Sequence, residues 1–173
     1  VFSRAASNLT VAPGECRPMT QPPIRPLDRA DLARVGHLVD ANEMFPSEML
    51  ADMTAGYFAG DSSQRWIVAE QGGQVEGVAY IVPEPLTEGT WNTLCICVDP
   101  AAHGQGIGTA LMRHIEDELR SEGARVLLVE TSGTPGFERT RGFYDMLGYE
   151  REARIRDYYS AGDDKIVFRK APV

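Results

Sequence analysis

The chain lacks several features that would assign it to a class at once. Its 173 residues include only three cysteines, Cys16, Cys95 and Cys97, too few for a disulfide framework. No apolar run approaches the roughly 20 residues that cross a bilayer, and the start of the chain has no continuous apolar stretch like that of a secretory signal. These absences predict a cytoplasmic protein with no membrane segment.

Basic residues are also scarce. Seventeen lysines and arginines stand against 25 acidic residues, which gives a net charge of −8. This balance argues against bulk binding to nucleic acid or to anionic lipid, and it is compatible with an amine substrate. Cys95 and Cys97 lie two apart on a predicted strand and share one face, with no Cys or His at ligand spacing. They are predicted to be small buried side chains, and no metal site is predicted.

The pattern of hydrophobic residues predicts one domain. Residues 1–22 are rich in Pro, Ser and Thr and are predicted to be a flexible tail, with the domain at residues 23–173. Asp28 and Ser47 are predicted to begin two helices. The strands that follow form an antiparallel meander, and a strand, glycine loop, helix and strand come next. The predicted elements are a strand near 24–27, helices at 29–42 and 48–58, strands at 65–70, 75–82 and 92–98, a helix at 106–121, a strand at 126–130, a helix at 137–147, and strands at 150–158 and 165–170.

A glycine-rich segment, HGQGIGT, begins at His103 and runs directly into the third long helix. Glycine costs a helix about 1 kcal/mol per residue relative to alanine, so glycines here need a reason. A Walker A loop is excluded because no lysine follows the last glycine, and a dinucleotide fingerprint is excluded because Thr109 stands where its third glycine is required. A strand, a glycine turn and a helix together form an anion site.

This segment resembles the pyrophosphate-binding segment of the GNAT superfamily of acetyl-CoA-dependent N-acetyltransferases. The family pattern is Arg or Gln, two residues, Gly, one residue, then Gly or Ala; Gly106 and Gly108 match it, whereas His103 departs from it. Downstream, GFYDMLGY at residues 142–149 is similar to the family's F-Y-x-x-L-G-F/Y segment. The resemblance covers about residues 24–170. It implies an α/β fold with a mixed, mostly antiparallel sheet of about seven strands flanked by about four helices.

The resemblance also implies acetyl-CoA as the co-substrate, and no metal. Backbone groups of the strand before the loop would pair with the pantetheine arm as though it were an added strand. The loop and the first helical turn would hold the pyrophosphate. The cofactor-binding residues implied in this way are Ile96, Cys97, Val98, His103, Gly104, Gln105, Gly106, Ile107, Gly108 and Thr109.

Two catalytic residues follow from the same resemblance. Tyr144 occupies the position of the family's acid, and a phenol of ordinary pKa stays protonated at neutral pH. Glu130 ends a hydrophobic strand and resembles the glutamate base of the ribosomal-protein N-terminal acetyltransferases. Those enzymes have two fewer residues between glutamate and tyrosine, and they usually carry asparagine where this chain has Phe137. The assignment of Glu130 as the base therefore stays open.

The acceptor is left open as well. The segment Arg156–Tyr159 and the turn at Gly162–Asp164 resemble the tyrosine pair and acidic turn of N-terminal peptide acetyltransferases, although a solvated hairpin explains them equally well. The loop at residues 42–47, together with Glu48, is the other candidate acceptor surface. The predicted function is transfer of acetyl from acetyl-CoA to a primary amine by direct attack, the acceptor being a small amine or a peptide N-terminus. A silent acyl-CoA-binding regulatory domain is the alternative. No nucleic acid or membrane partner is predicted, and a homodimer is left open.

Overall fold

The computed structural model describes residues 22–172, so Cys16 and almost all of the predicted tail lie outside the described residues. The described part is mixed α/β, as predicted. Its elements in chain order are β1 (Ile24–Pro26), α1 (Leu32–Ala41), α2 (Leu50–Phe58), β2 (Arg65–Gln71), β3 (Gln74–Pro83), β4 (Thr90–Val98), α3 (Ile107–Ser121), β5 (Val126–Ser132), α4 (Glu138–Met146), β6 (Glu150–Ser160) and β7 (Asp163–Lys170).

The strands of residues 22–172 form one sheet in the order β1-β2-β3-β4-β5-β7-β6. Every neighbouring pair is antiparallel except β4 and β5, which run parallel because α3 carries the chain back between them. This is the mostly antiparallel sheet that the sequence predicted. No helix in the described range is long and apolar enough to cross a membrane.

The first two helices begin differently from each other. Asp28 caps its segment as predicted, because its carboxylate accepts from the amide of Ala30 at 2.9 Å. The prediction for Ser47 was wrong. Pro46 occupies the cap position of a short 3-10 turn before α2, and the amide of Ser47 instead donates to the carboxylate of Asp40 at 2.9 Å.

Two hydrophobic layers cover the faces of the sheet. On one face, α3 buries Ile107, Leu111, Ile115 and Leu119 at the predicted spacing of four residues. On the other face, α1 and α2 cover a layer that includes both strand cysteines, whose sulfurs lie 3.7 Å apart. Cys95 and Cys97 are each only 2% exposed, which agrees with the prediction of small buried side chains.

The sheet opens between β4 and β5. These strands pair only from Thr90 to Thr93 against Val126 to Val129. Leu94 is an extra residue in β4, because Thr93 faces Ile81 and Cys95 faces Tyr80 across β3. Past this bulge the remainder of β4 pairs with no strand of residues 22–172 on its β5 side. The gap between β4 and β5 opens toward the loop that precedes α3. The candidate site lies at this gap.

Candidate active site

A cleft of about 500 Å³ lies at the open end of β4. Its walls are the strand end, the glycine loop with the first turn of α3, and one face of α4. Among the predicted cofactor residues, all line the cleft except Cys97 and Gln105, and Tyr144 lines it too. Of the remaining lining residues, Asn42 belongs to the loop predicted as a candidate acceptor surface, and Gly142, Phe143 and Met146 belong to the F-Y segment. Three lining residues were not marked by the sequence: Ala102, Arg139 and Thr140.

Backbone amides form the loop wall of the cleft. Gly104 and Gly106 have φ of +80° and +83°, a conformation that glycine adopts without strain. The first helical bond of α3 runs from the amide of Ala110 to the carbonyl of Gly106 at 2.9 Å. Within the described residues, the amides of Ile107, Gly108 and Thr109 therefore have no acceptor, and the positive end of the helix dipole lies among them. This geometry suits a phosphate group.

The charges around the cleft also favour an anion. No aspartate or glutamate belongs to the described lining, although the chain carries 25 of them. Arg139 and His103 are the lining residues with basic side chains. The ring of His103 is turned toward the strand, where its Nε2 lies 3.0 Å from the carbonyl of Val98. That carbonyl also accepts from the side-chain amide of Asn42 at 3.0 Å.

Beyond the bulge, alternate residues of β4 face the gap. The amide of Asp99 donates to the carbonyl of Glu76 on the β3 side at 2.8 Å. The backbone N–H and C=O groups of successive residues point to alternate sides of a strand. Those of Cys97 therefore also face β3, whereas those of Ile96 and Val98 face the gap between β4 and β5. Gln105 lies outside the cleft, and its side chain accepts from Gln71 at 2.9 Å. The structure thus separates Cys97 and Gln105 from the other predicted cofactor residues.

Tyr144 lies on α4 with its ring in the core. It is 2% exposed and packs against the rings of Phe143, Tyr149 and Phe168. Its hydroxyl has no hydrogen-bond partner among residues 22–172. Burial, with a smaller contribution from the neighbouring thiols of Cys95 and Cys97, raises the pKa of Tyr144 above its usual value. The phenol is therefore neutral and retains its proton at the cleft wall.

Comparisons with known proteins agree with this geometry. A sequence model of the acetyltransferase (GNAT) domain matches residues 62–151. The chain belongs to the GNAT acetyltransferase family. The earlier identification from the glycine segment and the F-Y segment is thereby confirmed, and the chain is an acetyltransferase.

Several GNAT relatives cover most of the chain. The [ribosomal protein bS18]-alanine N-acetyltransferase of Escherichia coli strain K12 is 28% identical over 144 residues, which are 82% of this chain and 90% of that protein. A GNAT-family structure from Desulfovibrio desulfuricans superposes with a TM-score of 0.81 at 28% identity, over 87% of this chain and 99% of the other. An aminoglycoside 6'-N-acetyltransferase solved with coenzyme A shares the GNAT fold, with a TM-score of 0.70 at 17% identity over 87% of this chain and 97% of that one.

Glu130 lies outside the lining of this GNAT cleft. It is the first residue of β5 beyond the stretch paired with β4, so it stands where the two strands separate. Its carboxylate accepts from the ammonium of Lys165 at 2.9 Å. That ammonium also lies 3.9 Å from the ring centre of Tyr158. Burial lowers the pKa of Lys165, but the bonds to Glu130 and Tyr158 outweigh burial and raise it overall.

The segments predicted to receive the acceptor lie in two places, one beside this pair and one at the cleft. Tyr158 and Tyr159 are about half exposed, at 52% and 48%. The acids of the following turn make bonds within the protein: Asp163 accepts from the hydroxyl of Ser132 at 2.6 Å, and Asp164 from the amide of Asp157 at 2.9 Å. In the loop at residues 42–47, Asn42 reaches the cleft, while Phe45 packs against the layer under α1 and α2, and Glu43 and Glu48 are exposed.

The described residues contain no group of three or more His, Cys, Asp or Glu side chains arranged to hold a metal ion. Two contacts of the site region had no signal in the sequence. Lys165 meets Glu130 only through the pairing of β5 with β7, 35 positions along the chain. Asn42 ends α1 and reaches Val98 across 56 positions.

Proposed function

We propose that this chain transfers the acetyl group of acetyl-CoA to the α-amino group of a peptide or protein N-terminus. The observation that carries the proposal is the setting of Glu130. This carboxylate stands where β4 and β5 separate, and together with the ring of Tyr158 it already holds a primary ammonium, that of Lys165. The same groups suit the ammonium of an acceptor that displaces Lys165. The similarity to the bS18-alanine N-acetyltransferase of E. coli supports this class of acceptor.

The cleft has the features that acetyl-CoA requires. The amides of Ile107, Gly108 and Thr109 would hold the pyrophosphate, and the gap-facing backbone of Ile96 and Val98 would receive the pantetheine arm as an added strand. A β-carbon at Gly108 would lie 3.3 Å from the ring of Phe143, so glycine leaves this wall open. When bound, acetyl-CoA supplies the activated thioester.

The residues of the chain divide the proton transfers between them. Tyr144 holds a proton on its hydroxyl oxygen for the departing sulfur, as an ordinary phenol does at neutral pH, and burial raises its pKa further. Glu130 accepts a proton from the acceptor ammonium, which frees the amine for direct attack. The nitrogen loses a second proton as the amide forms, and this proton replaces the one that Tyr144 gives to the sulfur. The amide of Val98 faces the gap and would polarise the acetyl carbonyl.

No acyl-enzyme is needed for this reaction. Cys95 and Cys97 are buried under α1 and α2, on the face of β4 away from the cleft lining. The hydrogen bond with Cys97, together with burial, raises the pKa of the Cys95 thiol. A thiol held in this protonated state is a weak nucleophile. We therefore propose attack by the acceptor amine in a ternary complex.

Glu130→Gln tests the role of this carboxylate. With a peptide whose N-terminus is a free alanine, kcat/KM at neutral pH should fall by about 100-fold, as expected for loss of a general base. The deficit should shrink above about pH 8, where an α-amine is neutral without help. Initial rates of CoA release, measured across the pH range, report both effects.

Lys165→Gln is the matched control, because it breaks the same ion pair and leaves the carboxylate in place. It should keep most of the activity at neutral pH. If Lys165→Gln reproduces the loss, or if the Glu130→Gln deficit is the same at every pH, Glu130 acts only through the ion pair and is not the base.

A further inference from the structure

We propose that Arg139 binds a phosphate group of acetyl-CoA and so provides a second anion contact, on the α4 wall of the cleft. The inference rests on the proposed function, since it requires acetyl-CoA to occupy this cleft. Arg139 lies outside the glycine motif, and neither its position nor its residue type marked it in the sequence.

The guanidinium of Arg139 is uncommitted. It lines the cleft, is exposed, and makes no ion pair or hydrogen bond with any residue from 22 to 172. Arg141, two positions along α4, differs: its guanidinium donates to the carbonyls of Ser132 at 2.7 Å and Thr134 at 2.8 Å. Arg141 therefore holds the loop between β5 and α4, whereas Arg139 is free to bind a ligand.

The helix directs Arg139 toward the glycine loop. Arg139 and Phe143 are four residues apart on α4 and so share one face. Phe143 borders the first turn of α3, since a β-carbon at Gly108 would meet its ring at 3.3 Å. The face that carries Arg139 is thus the face that adjoins the amides proposed to hold the pyrophosphate.

The local charge makes phosphate the appropriate partner. The chain carries a net charge of −8, yet the described lining of the cleft contains no carboxylate that would compete for the guanidinium. A guanidinium presents a planar fork of donors that matches phosphate oxygens, and it stays charged at every relevant pH. Acetyl-CoA has two sources of this chemistry, the pyrophosphate and the 3'-phosphate of the ribose.

The test is calorimetric binding of CoA and of 3'-dephospho-CoA to the wild-type chain and to three variants. Arg139→Ala should weaken CoA binding by roughly 10- to 100-fold, the range expected for loss of a hydrogen-bonded charge contact. Arg139→Lys should recover part of the affinity. Arg113→Ala is the matched control, because Arg113 is an exposed arginine of α3 outside the cleft lining.

Two results uphold the proposal and identify the phosphate. If the Arg139→Ala loss vanishes with 3'-dephospho-CoA, the contact is the 3'-phosphate; if it persists, the contact is the pyrophosphate. Wild-type affinity for CoA in Arg139→Ala, or an equal loss in Arg113→Ala, overturns the inference while leaving the cleft assignment intact. Absence of CoA binding by the wild-type chain overturns the cleft assignment as well.

Discussion

Replacing Tyr144 by phenylalanine should lower kcat by about 100-fold or more while leaving the affinity for acetyl-CoA nearly unchanged. The substitution removes a hydroxyl that bonds to no described residue, so no protein donor or acceptor loses a partner. The ring and its contacts with Tyr149 and Phe168 remain. What is lost is the proton held at the cleft wall.

The pKa of Tyr144 adds a pH dependence to this expectation. Because burial raises that pKa, the protonated and active form persists to higher pH than for an ordinary phenol. The wild-type kcat should therefore not decline through loss of this proton up to about pH 10, where a free tyrosine is half ionised.

Tyr149→Phe is the matched control for Tyr144→Phe. Both rings are buried and their centres lie 5.8 Å apart, but the hydroxyl of Tyr149 donates to the buried carboxylate of Glu116 at 2.9 Å. Its removal should lower the free energy of unfolding by about 1–3 kcal/mol, measured in urea, and leave kcat largely intact. A Tyr144→Phe variant that keeps its kcat, as the Tyr149→Phe variant should, would show that Tyr144 is not the acid.

Replacing Gly106 by valine should abolish measurable acetyl-CoA binding, a loss of about 100-fold or more if two phosphate contacts disappear. Gly106 caps α3 with φ of +83°, a conformation that costs a residue with a side chain roughly 1–2 kcal/mol, and more for a β-branched one. A valine there moves the first-turn amides or covers them. Isothermal calorimetry with acetyl-CoA measures the change.

Gly123→Val separates backbone strain from ligand contact. Gly123 follows the other end of α3 with φ of +76°, outside the cleft lining, so the substitution carries a similar conformational cost. It should lower stability about as much as Gly106→Val and leave the affinity for acetyl-CoA unchanged. Equal affinities in the two variants would refute the assignment of the loop to the pyrophosphate.

Two short sequence patterns predicted much of the cleft, because each one reflects structure that is formed by residues close together in the chain. The glycine pattern predicted both the turn and the start of α3, and the F-Y segment predicted the helix that carries Tyr144. Each depends on backbone conformation or on spacing along one helix, which the sequence displays directly. The structure brings both segments into one cleft lining, although they are far apart in the chain.

The rest depends on the pairing of strands. Leu94 forms a bulge only because of the register that β4 adopts against β3, and that register also decides that Cys97 faces β3 while Val98 faces the gap. The Lys165 contact with Glu130 likewise requires β7 to lie beside β5. No pattern within a single strand specifies these pairings, so the sequence could suggest Glu130 and Cys97 only by resemblance.

The most direct test of the proposed activity is the site of acetylation, read by mass spectrometry after incubation with acetyl-CoA. Three acceptors are needed: a lysine-free peptide with a free N-terminal alanine, an Nα-blocked peptide with one lysine, and an aminoglycoside. CoA release and one added acetyl group are expected with the first acceptor, on its α-amine. Acetyl transfer confined to the lysine side chain or to the aminoglycoside would contradict the proposed activity.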